Sequence, residues 1–122
     1  SNNPNIKRII DKRLRERSYG SLEGTGHSIF AKKFGETKLK LIRRSYTTRP
    51  PKGESIKMVE KRVLPFIKDL IKIMKKEKVN VAISAHGNSI RPFRKYFEHL
   101  TNEKMMQQEQ PYNTFFEYKV RI

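Results

Sequence analysis

The 122-residue chain has no cysteine and no tryptophan. Without cysteine there is no disulfide framework, no thiolate zinc site and no cysteine nucleophile. Acidic side chains are scarce: 12 Asp and Glu stand against 28 Lys and Arg, leaving a net charge of +16. Apolar residues are also few, 35% against 33% charged. That is a thin supply for a self-sufficient core, yet too much for a disordered chain. No apolar run approaches the roughly 18 residues that cross a bilayer, which excludes a membrane-spanning helix. The polar start Ser1-Asn2-Asn3-Pro4-Asn5 does not read as a secretory signal. The length suits one small domain over 1–122, and these absences point to a soluble, cytoplasmic protein.

So positive a chain raises nucleic acid as a partner. The lysines are nevertheless spread along the sequence. Lys68, Lys72, Lys75, Lys76 and Lys78 follow a helical apolar pattern and mark its solvated face. Aromatic residues are not interleaved with basic ones as a base-stacking platform requires. A non-catalytic basic module that binds phosphate or nucleic acid is therefore the minor reading, and most of the charge reads as surface solvation.

No internal repeat or low-complexity segment interrupts the chain. Residues 14–17 read as extended, hemmed by the turn-rich Tyr19-Gly20-Ser21 and Glu23-Gly24-Thr25-Gly26. Ser28 to Arg44 divides at Gly35 into two short helical pieces, and Thr47 to Gly53, with two prolines and a glycine, is a loop. From Ser55 to about Lys76, Val59, Val63, Phe66, Ile67, Leu70, Ile71 and Met74 recur at helical spacing, with Pro65 expected to kink the helix. The β-branched run Val79 to Ala85 predicts a buried strand, Ile90 to Leu100 a second helix, and Phe115 to Val120 a closing strand. Helix, strand, helix, strand argues for an α/β layer fold with a parallel component.

The sharpest local feature is Ser84-Ala85-His86-Gly87-Asn88-Ser89. A histidine ends the predicted strand, glycine turns the chain, and a helix begins. Ligands of open α/β sheets gather at such carboxyl ends, and the free N–H groups of a helix start attract an anion. A histidine there binds a phosphoryl group, serves as acid, base or nucleophile, or simply bonds a neighbouring carbonyl. Arg43 and Arg44 form a pair suited to phosphate or carboxylate, though two solvated arginines are ordinary in a basic protein. Glu16 stands between two arginines, close to Tyr19, where an ion pair is the commoner reading than a catalyst. His27 and His99 carry no local motif.

In combination these pieces resemble one family. Asp11 to Gly24 (DKRLRERSYGSLEG) is similar to the "RLxERxYGxLxG" segment of cofactor-dependent phosphoglycerate mutases. Ile42-Arg43-Arg44-Ser45-Tyr46 resembles that family's "WRRSY", and Gly53-Glu54-Ser55-Ile56 its "GESL". Arg62-Val63-Leu64-Pro65 resembles "RVLPYW", and Ala85 to Arg91 (AHGNSIR) "AHGNSLR". The matches span nearly the whole chain, in order, and mark the histidine phosphatase superfamily; the double arginine favours its mutase branch.

The resemblance implies a three-layer α/β/α sandwich of phosphoglycerate mutase type, incomplete in this chain. It implies interconversion of 3- and 2-phosphoglycerate through a phosphohistidine, primed by 2,3-bisphosphoglycerate without a metal. His86 would bind the transferring phosphoryl group and Glu16 would act as general acid/base. Tyr19, Arg43, Arg44 and Asn88, with His27 and Gly87, would hold the phosphoglycerate. Homo-oligomers are expected. The family's "RHGxS/T" segment, source of the nucleophilic histidine, and its "RAxxT" helix are absent, so an N-terminal complement is expected and the chain alone should be inactive. His27 replaces a substrate-binding lysine, and Pro111-Tyr112-Asn113-Thr114 replaces "PTGxP". A phosphomonoester phosphatase, with water as the final acceptor, is the alternative within the superfamily.

Overall fold

The computed structural model describes residues 7–23, 32, 35–108 and 115–121. Within them lie four α-helices: α1 (Glu36–Arg44), α2 (Ile56–Glu77), α3 (Gly87–Glu98) and α4 (Asn102–Gln107). Short 3₁₀ turns at Lys12–Leu14 and Gly20–Leu22 precede them.

Three of the four helices begin where a hydroxyl side chain closes the first turn. The Ser55 hydroxyl accepts from the Met58 N–H at 3.2 Å and starts α2; Thr101 does the same for Lys104 at 3.1 Å and starts α4. At α3 the Ser89 hydroxyl accepts from the His86 N–H at 3.1 Å. Left-handed Lys78 and His99 close α2 and α3. α2 continues through Pro65, which lies on its exposed side, as do Lys68, Lys72, Lys75 and Lys76.

The core is the seam between α2 and α3. Val59, Val63 and Ile67 are fully buried and Phe93 nearly so, and Leu14, Phe66, Leu70, Ile71 and Phe97 pack around them. Phe66 meets Phe93 edge to face, ring centres 6.0 Å apart. Burial of each aliphatic side chain stabilises the pair by about 1.5–3 kcal/mol. A smaller cluster, Leu39 and Ile42 of α1 with the Tyr19 ring, ties α1 to the N-terminal segment.

That segment is held by backbone against backbone. The Ser21 N–H donates to the Pro51 carbonyl at 2.9 Å and the Glu54 N–H to the Ser18 carbonyl at 2.7 Å. Gly20 has φ of +57°, and a Cβ there would lie 2.3 Å from the Pro51 carbonyl oxygen; one on Gly53 would lie 2.7 Å from that of Ser18. Two glycines pressed together thus allow residues 18–21 to reach the 50–54 turn.

The predicted strands are corrected. Among the described residues there is no β-strand, and Val79–Ala85 and Phe115–Val120 are irregular. Leu14, expected to be extended, ends a 3₁₀ turn capped by Asp11, whose carboxylate accepts from the Arg13 N–H at 2.9 Å. A helix completes its hydrogen bonds from its own residues, whereas a strand exists only beside another. Val79, Val81 and Ile83 remain 38–42% exposed and Phe115 80% exposed. Residues 115–120 instead lean on α3. Tyr118 stacks on Phe97 with ring centres 4.9 Å apart, its hydroxyl bonds the Glu98 carboxylate, and the Arg94 guanidinium lies over the Phe116 ring. The described residues are therefore helical and irregular, and the expected layered sandwich is not found among them. The first helical piece before Gly35, apart from Lys32, and the 111–114 loop lie outside the described residues, as does His27.

Candidate functional site

The start of α3 gathers residues far apart in sequence. His86 is its N-cap, and Gly87 and Asn88 form its first turn, where backbone N–H groups lack helical partners. The Asn88 N–H donates to Glu16 Oε1 at 3.2 Å, and the Arg17 N–H donates to the same oxygen at 2.8 Å. The Glu16 carboxylate thus sits on the positive end of α3, a favourable place for a negative charge. The Asn88 side-chain amide donates to the Tyr19 hydroxyl at 3.2 Å. Glu16, His86, Gly87 and Asn88 line one cavity of about 1180 Å³, open to solvent, while Tyr19 bridges from Asn88 to α1.

Arg43 and Arg44 are not part of this gathering. Both are exposed on the last turn of α1, and Arg44 lines a separate cavity of about 370 Å³ with Tyr46, Asn102, Glu103, Met106 and Gln107. Under that cavity, Tyr46 bonds the buried Glu60 carboxylate, which Lys95 pairs at 2.7 Å. Burial, and then the bond to Glu60, pushes the Tyr46 phenol up to about 12.

Four charged residues that sequence reasoning left without a role hold the cluster in place. Arg17 is 2% exposed; its guanidinium donates to the carbonyls of Glu54 at 2.7 Å and Ile42 at 2.9 Å and lies over the Tyr19 ring. Burial lowers this guanidinium below its ordinary value, and carbonyl oxygens with a ring face compensate its charge. Arg62 donates to the Arg13 carbonyl at 2.7 Å and the Glu16 carbonyl at 3.2 Å, and pairs Glu54 at 2.9 Å. Burial raises the Glu54 carboxyl, but the Arg62 hydrogen bonds, the Ser18 N–H and the charges of Arg62 and Arg15 outweigh it and leave the group below its ordinary value. Arg91 donates to Asn88 Oδ1 at 3.3 Å and to the carbonyls of Met105 at 2.9 Å and Gln108 at 2.6 Å.

A signal for Arg62, and for the buried Glu60, was available. Arg62 falls on the apolar stripe of α2, between Val59 and Phe66, and Glu60 falls there between Ile56 and Val63. A charge on a buried stripe is stable only with partners.

A carboxylate, an imidazole and an amide thus meet at one helix start. The sequence profile of the histidine phosphatase superfamily (branch 1) matches residues 1–119, and the chain belongs to that family. It is 42% identical over 108 residues to a phosphoglycerate mutase of Schizosaccharomyces pombe, covering 87% of this chain and 50% of that one. It is 42% identical over 98 residues to the 2,3-bisphosphoglycerate-dependent phosphoglycerate mutase of Chlamydia felis, covering 80% of this chain and 43% of that one. The chain spans about half the length of the curated relatives it matches, in their C-terminal part. Among solved structures, a mycobacterial glucosyl-3-phosphoglycerate phosphatase in complex with inorganic phosphate superposes with a TM-score of 0.68 at 24% identity, covering 80% of this chain and 49% of that one. That likeness speaks for the fold.

Proposed function

We propose that the chain forms the C-terminal part, over 1–122, of a single phosphoglycerate mutase domain that interconverts 3- and 2-phosphoglycerate in the cytoplasm as a homo-oligomer. The observation that carries this reading is the meeting of Glu16, Tyr19, His86 and Asn88 at the start of α3. The 42% identity to mutases supports it.

His86 binds the transferring phosphoryl group and Glu16 works as general acid/base. Phosphate brought to the α3 start places negative charge beside the Glu16 carboxylate. As general acid/base, Glu16 would exchange a proton with the bridging oxygen of the phosphoester. Tyr19 and Asn88 offer a hydroxyl and an amide to orient the glycerate. Arg43, Arg44, His27 and Gly87 complete the proposed binding set. The donor set at α3 fits an anionic phosphoester, and Asn88, Tyr19 and His86 would hold 2,3-bisphosphoglycerate; when bound, that compound supplies the priming phosphoryl group. The nucleophilic histidine is assigned to a segment outside these 122 residues, because no "RHG" motif occurs in them.

The test is phosphoryl capture. Labelled 2,3-bisphosphoglycerate is given to the chain alone, to the chain mixed with the unmatched half of the fission yeast mutase, and to a Glu16→Gln mixture. Acid-labile, base-stable label should appear only in the mixtures, and phosphoglycerate interconversion should fall by about 10²-fold or more with Glu16→Gln. Label on His86 in the chain alone would sink the assignment. The position of Arg44 in a separate cavity favours one second reading, a phosphomonoester phosphatase. In that case Arg43→Ala with Arg44→Ala leaves hydrolysis of a small phosphate ester intact.

A further inference from the structure

We propose that the outward face of α2 is a docking surface for an anionic lipid membrane, held by charge and without insertion.

Helical periodicity builds the face. Lys57, Lys61, Lys68, Lys72 and Lys75 are all exposed. At about 3.6 residues per turn they fall within an arc of roughly 60°. Val63 and Ile67, buried in the seam with α3, fall on the other side. At about 1.5 Å per residue, the lysine stripe runs about 27 Å along the helix. None of the five enters an ion pair among the described residues. The acidic groups of α2 are engaged or turned away. Glu60 is buried and paired by Lys95 at 2.7 Å, and Asp69 is paired by Arg13 at 2.8 Å. Glu77, in the last turn, falls opposite the stripe. Lys57 with Lys61, and Lys68 with Lys72, stand four apart, a spacing at which like charges weaken a helix. An anionic surface laid along the stripe relieves that repulsion.

The form of the stripe selects a lipid surface over nucleic acid. Its intervals along the axis are irregular, about 6, 10, 6 and 4.5 Å. Nucleic-acid phosphates repeat at fixed intervals, whereas lipid headgroups diffuse laterally and gather at whatever spacing the lysines set. A helix can lie on a plane along its length, but it meets a duplex over a long stretch only by entering a groove. The arginine and amide side chains that read groove edges are missing from this face, where Met58 and Pro65 are the uncharged neighbours. Lysine is a hydrated point charge on a flexible stem, without the fork that grips one phosphate. Helices that enter the membrane boundary bury an apolar face in it. That of α2 is already covered by α3, so the contact is electrostatic.

The experiment is sedimentation of the 122-residue chain with vesicles of phosphatidylcholine, pure or carrying about 30 mol% phosphatidylserine. One variant combines Lys57→Gln, Lys61→Gln, Lys68→Gln, Lys72→Gln and Lys75→Gln. The other removes the same charge from exposed sites outside α2, with Lys32→Gln, Lys40→Gln, Lys52→Gln, Lys104→Gln and Lys119→Gln. Glutamine is as good a helix former as lysine, so far-UV circular dichroism should not change. The unaltered chain should sediment with the anionic vesicles only, and about 0.5 M salt should release it. A lysine at such a surface strengthens binding about fivefold, so the stripe variant should bind about 10³-fold more weakly. The scattered variant should lose less than about tenfold, because lysines off the contact plane are screened beyond about 10 Å at 0.1 M salt. In the unaltered chain, anionic vesicles should slow chemical acetylation of Lys68 and Lys72 but not of Lys40 and Lys119. The proposal is overturned by equal sedimentation with neutral vesicles, by none with anionic ones, by equal losses in the two variants, or by unslowed acetylation along the stripe. Tighter stripe-dependent binding to a short DNA duplex at equal phosphate would overturn it in favour of nucleic acid.

Discussion

The α2–α3 seam and the irregular segment 79–85 are both rich in apolar residues and meet opposite fates. In the seam, Val59, Val63 and Ile67 are fully buried; in 79–85, Val79, Val81 and Ile83 are about two-fifths exposed. The difference lies in where the backbone finds its partners. α2 and α3 close their own hydrogen bonds and need only a neighbouring face, whereas 79–85 needs an adjacent strand before its side chains can be covered. Apolar pattern decides what wants burial, and backbone pairing decides what obtains it.

The largest expected effect comes from cutting the seam. Ile67→Ala should destabilise the chain by about 2–5 kcal/mol in urea unfolding. A second break targets the ion pair beneath Glu16. Arg62→Met leaves the mostly buried Glu54 with only the Ser18 N–H and the more distant Arg15, and should cost about 2–4 kcal/mol. A double-mutant cycle with Glu54→Gln would show coupling well above that of an exposed pair, and additive single effects would refute it. Gly20→Ala comes next, at about 1–3 kcal/mol, because it combines a positive φ with backbone atoms that have no room to retreat. Thermal melts of Gly20→Ala and of Gly35→Ala, where nothing crowds a Cβ, separate the close approach from the cost of a positive φ, which both positions carry. The smallest effect is expected in the irregular segment 79–85. Val81→Ala in the chain alone should change stability by less than about 0.5 kcal/mol. If it costs as much as Ile67→Ala, the contrast between the two regions is wrong.

Acid sharpens the same contrast. The Glu54 carboxyl lies below its ordinary value of 4.5 in the folded chain. A group so depressed contributes stability that is present above the unfolded value and lost as pH falls through the folded one. Stability measured from pH 6 downward should therefore decline below about 4.5, and the decline should be shallower in Glu54→Gln.

Much of the helical layer was legible because its signals are local. Ser55 caps α2, the spacing of Val59, Val63 and Ile67 gives its buried stripe, and Gly35 starts α1. The strands were misread because Val79 to Ala85 states a preference that only a partner strand satisfies. At the site, the family resemblance brought Glu16, Tyr19, His86 and Asn88 forward, and the structure places them at one helix start. It leaves Arg44 at another cavity and says nothing of His27. Arg17, Glu54 and Arg91 act through carbonyl oxygens and backbone N–H groups, which are common to every residue type, so sequence carries little trace of those bonds.

Arg91 has one more consequence. Because its guanidinium holds Asn88 Oδ1 on one side, the carboxamide has a fixed polarity, and only its NH₂ end faces Tyr19. The same guanidinium grips the chain at Met105 and Gln108. A tug on the polypeptide just beyond α4 would thus be felt as a rotation of one amide at the mouth of the cavity, a mechanical linkage fourteen residues and more in length.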